Sequence, residues 1–338
     1  MTLRRYIAYR FMMVVPVFLG VTLIAFLISY STSFPAAPYI NEYMTPAQIQ
    51  QVIKEHGFDQ PAIVRYLYFM RDLVHGDLGF SQSVGLTVVD AIRMFFPATI
   101  ELAVTALLIS VVAGIPLGAR AALSRGKRYD HMSSIGSLMG TSLPPFILAF
   151  LLQYIFFYEF RILNLPFLPS TGRTTLSVPF VTGFTLIDSL IAGNPAAALD
   201  WLRHIILPST TLAFITLAPV TRIVRASLLE VLGKEYIVAA RAKGISEKLV
   251  LYRHAMRNAL LPVITSLGYL FGTLLGGAII TETVFAWPGV GRWVTFAITS
   301  GDVAAVTGFT LVMGIAYVLI NAFVDIMYAF FDPRVKLG

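Results

Sequence analysis

The chain alternates between long apolar runs and short basic ones, and the apolar runs set the architecture. A helix needs about 20 apolar residues to cross about 30 Å of hydrocarbon. Six segments reach or approach that length: 11–30, 102–119, 132–158, 205–221, 259–281 and 303–324. The third is interrupted by Pro144-Pro145, and the fourth holds Pro208 and Pro219. Prolines are tolerated in membrane helices where neighbours satisfy the freed carbonyls. The fifth carries Gly272, Gly276 and Gly277, a face that another helix can approach closely.

Between these spans the pattern changes. Thr45 and Pro46 read as the N-cap and first turn of a helix that Gly57 closes. A second helix over 61–74 would place Ile63, Tyr66, Leu67 and Met70 on one face. The stretch 75–81 reads as a turn. Residues 174–200 hold two apolar halves parted by Asp188 and closed by Gly193-Asn194-Pro195, each too short to cross. This predicts a re-entrant or interfacial segment. A seventh span would put the C-terminus on the other side and break the charge pattern.

Charge then orients the spans. Arg120, Arg125, Lys127 and Arg128 join spans two and three, and eight further basic residues between Arg222 and Arg257 join spans four and five. Arg4, Arg5 and Arg10 precede span one, and Arg334 and Lys336 follow span six. All fall on one side, the cytoplasm by the excess of Lys and Arg, with both termini inside. The first apolar run is too long for the core of a cleaved signal peptide and reads as an uncleaved span.

Composition agrees: the 338 residues are 57% hydrophobic and 13% charged, against roughly 25% charged in soluble domains. With no cysteine, disulfides, thiolate metal sites and thiol catalysis are excluded. No Walker A motif, zinc-protease motif or nucleophile elbow is present, and the five histidines are scattered. Glu101 and Asp325 lie at span ends, with Asn321 one turn before Asp325, and read as paired interface-level carboxylates. No charge stands at mid-depth, which argues against a proton-coupled secondary transporter. An intramembrane hydrolase lacks its nucleophile and base.

The stretch 235–262 is basic, amphipathic and only mildly apolar, yet it lies between two spans. It reads as two helices. Gly244 closes the first, Ser246 caps the second, and Glu247 favours its positive N-terminus. Ala239 and Ala240 offer a small smooth surface, with Arg241, Lys243 and Lys248 as a positive rim. From composition alone, it is a handle for a cytoplasmic protein or a helix lying on anionic lipid.

This stretch resembles the signature loop of binding-protein-dependent ABC importer permeases, E-A-A-x3-G-x9-I-x-L-P. Ala239, Ala240 and Gly244 fall on it, while Val238 replaces the Glu, and His254, Met256 and Arg257 replace the Ile, Leu and Pro. Those departures are similar to the dipeptide/oligopeptide/nickel branch. HGDLGFS, PATIELA, GIPLGARAALSRG, TGFTLID, TETVFAWPGVGRW and VDIMYAFFDPR also look like that branch, so the resemblance covers nearly the whole chain. TGFTLID with the long 170–204 insertion looks most like its dipeptide permeases. After span one the chain departs from the family, with 34–38 reading FPAAP where an acidic P-G-D-P is usual.

The resemblance implies an all-α, six-span type I ABC importer permease fold. The first span and outer segment would occupy 1–97. A five-helix core would occupy 98–331, with the coupling loop at 230–261 and the outer insertion at 170–204. It implies coupling to an ATPase through Ala239, Ala240, Arg241, Lys243, Gly244, Ser246 and Glu247. The implied partners are a homologous second permease, one or two ATP-binding subunits that hold ATP and Mg, and an extracytoplasmic solute-binding protein. The chain itself would carry no cofactor. Peptides are the implied cargo, with oligosaccharides or nickel as alternatives. From their own chemistry, Glu282, Phe285, Trp287 and Arg292 are expected to form either an outer gate that touches the binding protein or a plain interfacial aromatic anchor. The 170–204 insertion is expected over the outer mouth, for docking or gating or as a stabilising interfacial cover, with Ser189 and Ala197 open to the outer solution.

Overall fold

A computed structural model of the chain describes residues 3–30, 36, 39–40 and 43–331, with side chains for 12–324 among these except Thr141. The 34–38 departure and the basic C-terminal residues lie wholly or mostly outside the described residues, as do the side chains of Arg4, Arg5, Arg10 and Asp325.

Among the described residues, six helices are long and apolar enough to cross a membrane. The first is α1 (Leu3–Tyr30). Outside it, α2 (Pro46–Glu55) starts with a reciprocal cap between Thr45 and Gln48, and Gly57 follows in the left-handed region. The next helix, α3 (Ala62–Val74), is docked on α1 by Thr22 and Tyr66, whose hydroxyls lie 2.8 Å apart, and by Phe26 against Tyr66 and Phe69. Of the four residues expected on one face, Tyr66 takes part in this docking, while Ile63 and Leu67 are 75% and 63% exposed. The docked side runs through Arg65, Tyr66, Phe69 and Asp72, with the His56–Asp72 contact (2.7 Å) adding to it. After a turn, β1 (Phe80–Ser81) pairs with β2 (Leu86–Thr87).

The centre is built on α4 (Val88–Leu123) and α9 (Pro195–Leu232), which form the most extensive helix pair. The boundary placed at 97 falls inside α4, whose outer turns begin well before the apolar run. Small residues let the two helices close: Gly114 lies against Val220, and Gly118 against the Thr221 carbonyl. At mid-length Ser110 donates to the Ala213 carbonyl (2.9 Å) and shares a 2.6 Å bond with the Thr216 hydroxyl. The third span differs from the expected 132–158. The stretch long and apolar enough to cross is 145–162, made of α6 (Pro145–Gln153), a π turn (Tyr154–Glu159) and α7 (Phe160–Ile162), while the more polar α5 (Arg128–Ser142) and an extended Leu143 precede it, so the Pro144-Pro145 break marks the start of the span.

After a loop comes the short α8 (Thr185–Ile191). With seven residues it is far too short for a seventh span. The second half of the expected insertion is not a separate segment. Asn194 caps Ala197 (3.1 Å), and residues 195–204 are the first turns of α9. Its prolines do not break α9.

The handle comprises α10 (Glu235–Ala242), α11 (Glu247–Leu249), a π turn (Val250–Ala255) and α12 (Met256–Ala259). Next, α13 (Leu261–Val284) packs on α15 (Val303–Phe331), with Gly268 against Val324 and Gly272 against Tyr317. Gly277 meets Ile215 of α9, so Gly272 and Gly277 are packing positions, while Gly276 is exposed with open space where a Cβ would stand. Between them, α14 (Val290–Ser300) closes the outer end. Leu102, Ile205, Leu212, Leu274 and Trp287 form the main core where α4, α9 and α13 meet.

Candidate functional site

The handle has its own small core. Ile237, Ala240, Val250, Ala255 and Ala259 pack on Ala122 of α4 and on Leu228 and Val231 of α9. It is therefore fastened to the ends of two central helices. Gly244 lies at φ +76°, with open space where a side chain would stand. Arg241 clamps the turn by donating to both Glu247 oxygens, at 2.8 and 3.1 Å.

Three expectations change here. Ala240 faces inward, because the handle needs it to cover Ile237 and Leu228, and only Ala239 is exposed. Ser246 stands at the N-cap without a side-chain hydrogen bond, so Glu247 alone supplies the favourable charge. Arg241 is paired, which leaves Lys243 and Lys248 as the exposed cations of the rim. The exposed apolar side chains are Tyr236, Val238, Leu249 and Tyr252.

At the opposite end, the expected gate residues are mostly interior. Phe285 and Trp287 are buried, and the Trp287 indole donates to the Ala98 carbonyl (2.8 Å). Glu282 is also buried. It accepts from the Thr99 hydroxyl (2.6 Å) and from the Arg292 backbone N–H (3.0 Å) at the start of α14. Thr99 in turn accepts from the Val290 N–H (2.9 Å). Gly289 and Gly291 crowd the carboxylate so closely that a Cβ at either would strike it. These residues therefore brace α13, α14 and α4 together, and Glu282, Phe285 and Trp287 present no surface to a partner. Only the Arg292 side chain is exposed, with one guanidinium N–H on the Ala286 carbonyl (3.0 Å).

The insertion is pinned by Glu101 and Asp188 together with Arg173, Trp201 and Asp200, which the sequence pattern did not single out. Arg173 reaches Glu101 of α4 with Nη2 at 2.7 Å and Nε at 2.9 Å, and Trp201 of α9 donates to the same carboxylate at 2.9 Å. Glu101 is thus paired, with an outer arginine. Asp200 accepts from the Thr175 N–H (2.6 Å) and the Thr174 hydroxyl (2.8 Å). Asp188 accepts from Val181, Thr182 and Gly183. Burial pushes the Asp188 carboxyl up, but those hydrogen bonds outweigh it and hold it below its ordinary value. Gly172 donates to the Phe285 carbonyl (2.9 Å), tying the insertion to the brace. Ser189 and Ala197 are buried rather than open, because α8 packs on α9 and the Ser189 hydroxyl donates to the Thr185 carbonyl (2.6 Å), while Ala192 and Ala196 are exposed.

Near the inner end an ion pair joins α5 to α9. Asp130 receives Nε and Nη2 of Arg225 at 2.5 and 2.8 Å and accepts from the Gly126 N–H at 3.0 Å. The Arg225 guanidinium, with help from Gly126, holds the Asp130 carboxyl well below the usual carboxylate range. Among the described residues no His, Asp or Glu cluster could hold a metal ion.

Six membrane helices, a folded inner handle fastened to two of them and a braced outer end define a polytopic transport subunit. Residues 114–337 match the family described as "Binding-protein-dependent transport system inner membrane component". The chain is 42% identical over 323 residues to the "Probable D,D-dipeptide transport system permease protein DdpB" of Escherichia coli K12, covering 94% of each. It is 37% identical over 341 residues to the dipeptide transport system permease protein DppB of the same strain, covering 98% of each. Against DppB of Alkalihalophilus pseudofirmus it is 36% identical over 334 residues, covering 98% of this chain and 99% of the other. The chain belongs to the family of binding-protein-dependent transport system inner membrane components. It is a multi-pass inner-membrane transport subunit of an ABC system and not an enzyme.

Proposed function

We propose that the chain carries peptides across the inner membrane as one of two permease subunits of an ATP-driven importer. The observation that carries this reading is the handle. It is a rigid, exposed helical knob whose core continues into α4 and α9. A groove on an ATPase subunit that grips Tyr236, Val238, Leu249 and Tyr252, with acids facing Lys243 and Lys248, would move both central helices as one. Full-length similarity to dipeptide permeases supports peptide as cargo. The partners are a homologous permease, one or two ATPase subunits that bind ATP and Mg, and an extracytoplasmic binding protein. Both termini are cytoplasmic.

Copurification tests the assembly. The tagged chain is expected to bring down a second six-span subunit and an ATPase, and the reconstituted complex to import dipeptides with ATP. A homomer that transports without any ATPase would overturn the reading.

The insertion lies on the side where a binding protein delivers cargo. Because the chain has no cysteine, labelling is clean. Ala192→Cys and Ala196→Cys are expected to react with an impermeant thiol reagent added from outside, and to slow when the binding protein is docked. Reaction from the cytoplasmic side alone would reverse the topology.

A further inference from the structure

The helix α5, just before the third span, packs on α9 and α4 along one side and leaves most of its side chains uncovered. Of its described side chains only Asp130 and Ser137 are buried, and Ile135, Leu138 and Met139 are exposed. Its inner end is fixed by the two-pronged Asp130–Arg225 pair. Its other end stops at Leu143, which is extended at ψ 119°, before Pro144. No helical hydrogen bond can be made by the nitrogen of Pro144 or Pro145, so this break is where α5 can turn.

Between the two ends the contact of α5 with α9 and α4 is incomplete and borders a cavity of about 390 Å³. Ser133, Gly136 and Gly140 face Phe214, Ala218 and Thr221 across it. A Cβ at Gly136 would meet nothing within 4 Å, and one at Gly140 would stand 3.9 Å from that of Ala218, so this part of α5 leaves room for a methyl group. At 1.5 Å per residue α5 is about 20 Å long, so a modest rotation at Leu143 displaces its inner end by several ångström. Arg225 lies about two turns before the end of α9, next to Leu228 and Val231, which anchor the handle.

We propose that the Asp130–Arg225 pair is a latch of the transport cycle that holds α5 closed over this cavity, and that its release lets α5 turn about Leu143–Pro144. Asp130 and Arg225 are positioning residues, acting through α5. That the handle drives the release rests on the coupling reading above. The latch itself does not.

The test uses the complete importer in proteoliposomes with Ser133→Cys as a reporter on α5. Without nucleotide, the thiol is expected to label slowly. Asp130→Asn and Arg225→Gln are each expected to raise the rate about tenfold or more, the factor set by losing a charge-assisted hydrogen bond. The double variant is expected to label no faster than either single, because both remove one interaction. Peptide moved per ATP hydrolysed is expected to fall in the same three variants, a change that mere loss of stability would not produce in the surviving complex. Unchanged labelling, or single effects that multiply in the double, would overturn the latch. If the neutral variants fail to accumulate, Arg225→Lys decides. It keeps the charge but loses the fork, and faster labelling is required of it. Gly244→Val separates the two readings. If it abolishes the ATP-dependent change in labelling and leaves the effect of Asp130→Asn intact, handle and latch both stand. If it transports normally while Asp130→Asn still speeds labelling, the coupling reading fails and the latch survives.

Discussion

Gly244→Val is expected to abolish peptide uptake while the chain still inserts and accumulates in the membrane. Gly244 sits at φ +76°, a region that costs an ordinary residue about 1–2 kcal/mol and a β-branched one more. No neighbour would clash with the new side chain, so the effect comes from the backbone alone. The turn it closes places Arg241 on Glu247 and sets the angle between α10 and the following helices. Relieving the strain rotates one exposed face of the handle against the other. The core under the handle stays filled by Ile237, Val250 and Ala255, which is why accumulation survives. Gly244→Ala is expected to fall between the two. Uptake and ATPase activity in proteoliposomes check this, together with the amount of chain in the membrane. Wild-type uptake by Gly244→Val would show that the turn does not transmit motion.

How far each feature could be read from the sequence follows the distance over which its physics acts. The spans were legible because hydropathy over a helix length needs no partner. The Thr45 cap, the left-handed Gly57 and Gly244, and the break at Pro144 were legible because each depends on a few adjacent residues. The start of α9 was missed because Asp200, Arg203 and His204 lower the local hydropathy. Asp200 is satisfied by Thr174 and Thr175, and the His204 ring by the Asp200 carbonyl.

The outer gate was misplaced for a related reason. Phe285 and Trp287 look costly to leave in water, and they are buried. What buries Trp287 includes the Ala98 carbonyl, 189 positions away. Asp130 and Arg225 are 95 positions apart, and Arg173 is 72 from Glu101. A lone acid within a basic loop, as Asp130 is among Arg125, Lys127 and Arg128, was the available signal. It named a candidate without naming its partner. On the handle, the alanines on the signature pattern were legible as positions, but which of them faces outward depends on α9 and α4.

Arg173→Ala is expected to be the most destabilising of the substitutions considered. Its side chain is 12% exposed and that of Glu101 6%, and Glu101 belongs to α4 in the middle of the bundle. Removing one member of such a pair leaves a buried charge uncompensated, at a cost of about 3–5 kcal/mol. Arg173 also donates to the Gly183 carbonyl (2.8 Å), so the loop before α8 loses its anchor. The insertion is then tied to the core mainly through Asp200 and Gly172. Thermal unfolding of the purified complex is expected to shift downward, and residues 173–184 to become sensitive to protease from outside. The double variant Glu101→Gln, Arg173→Met separates charge from contact. Its amide oxygen still accepts from the Trp201 indole, and no buried charge remains, so stability is expected to return most of the way. If the insertion matters to delivery, binding-protein-stimulated ATPase activity stays low in this double variant even though the protein is stable. Full recovery of both would reduce the insertion to a structural cover, and a stable Arg173→Ala would show that water reaches Glu101 and that the outer end is more open than its packing implies.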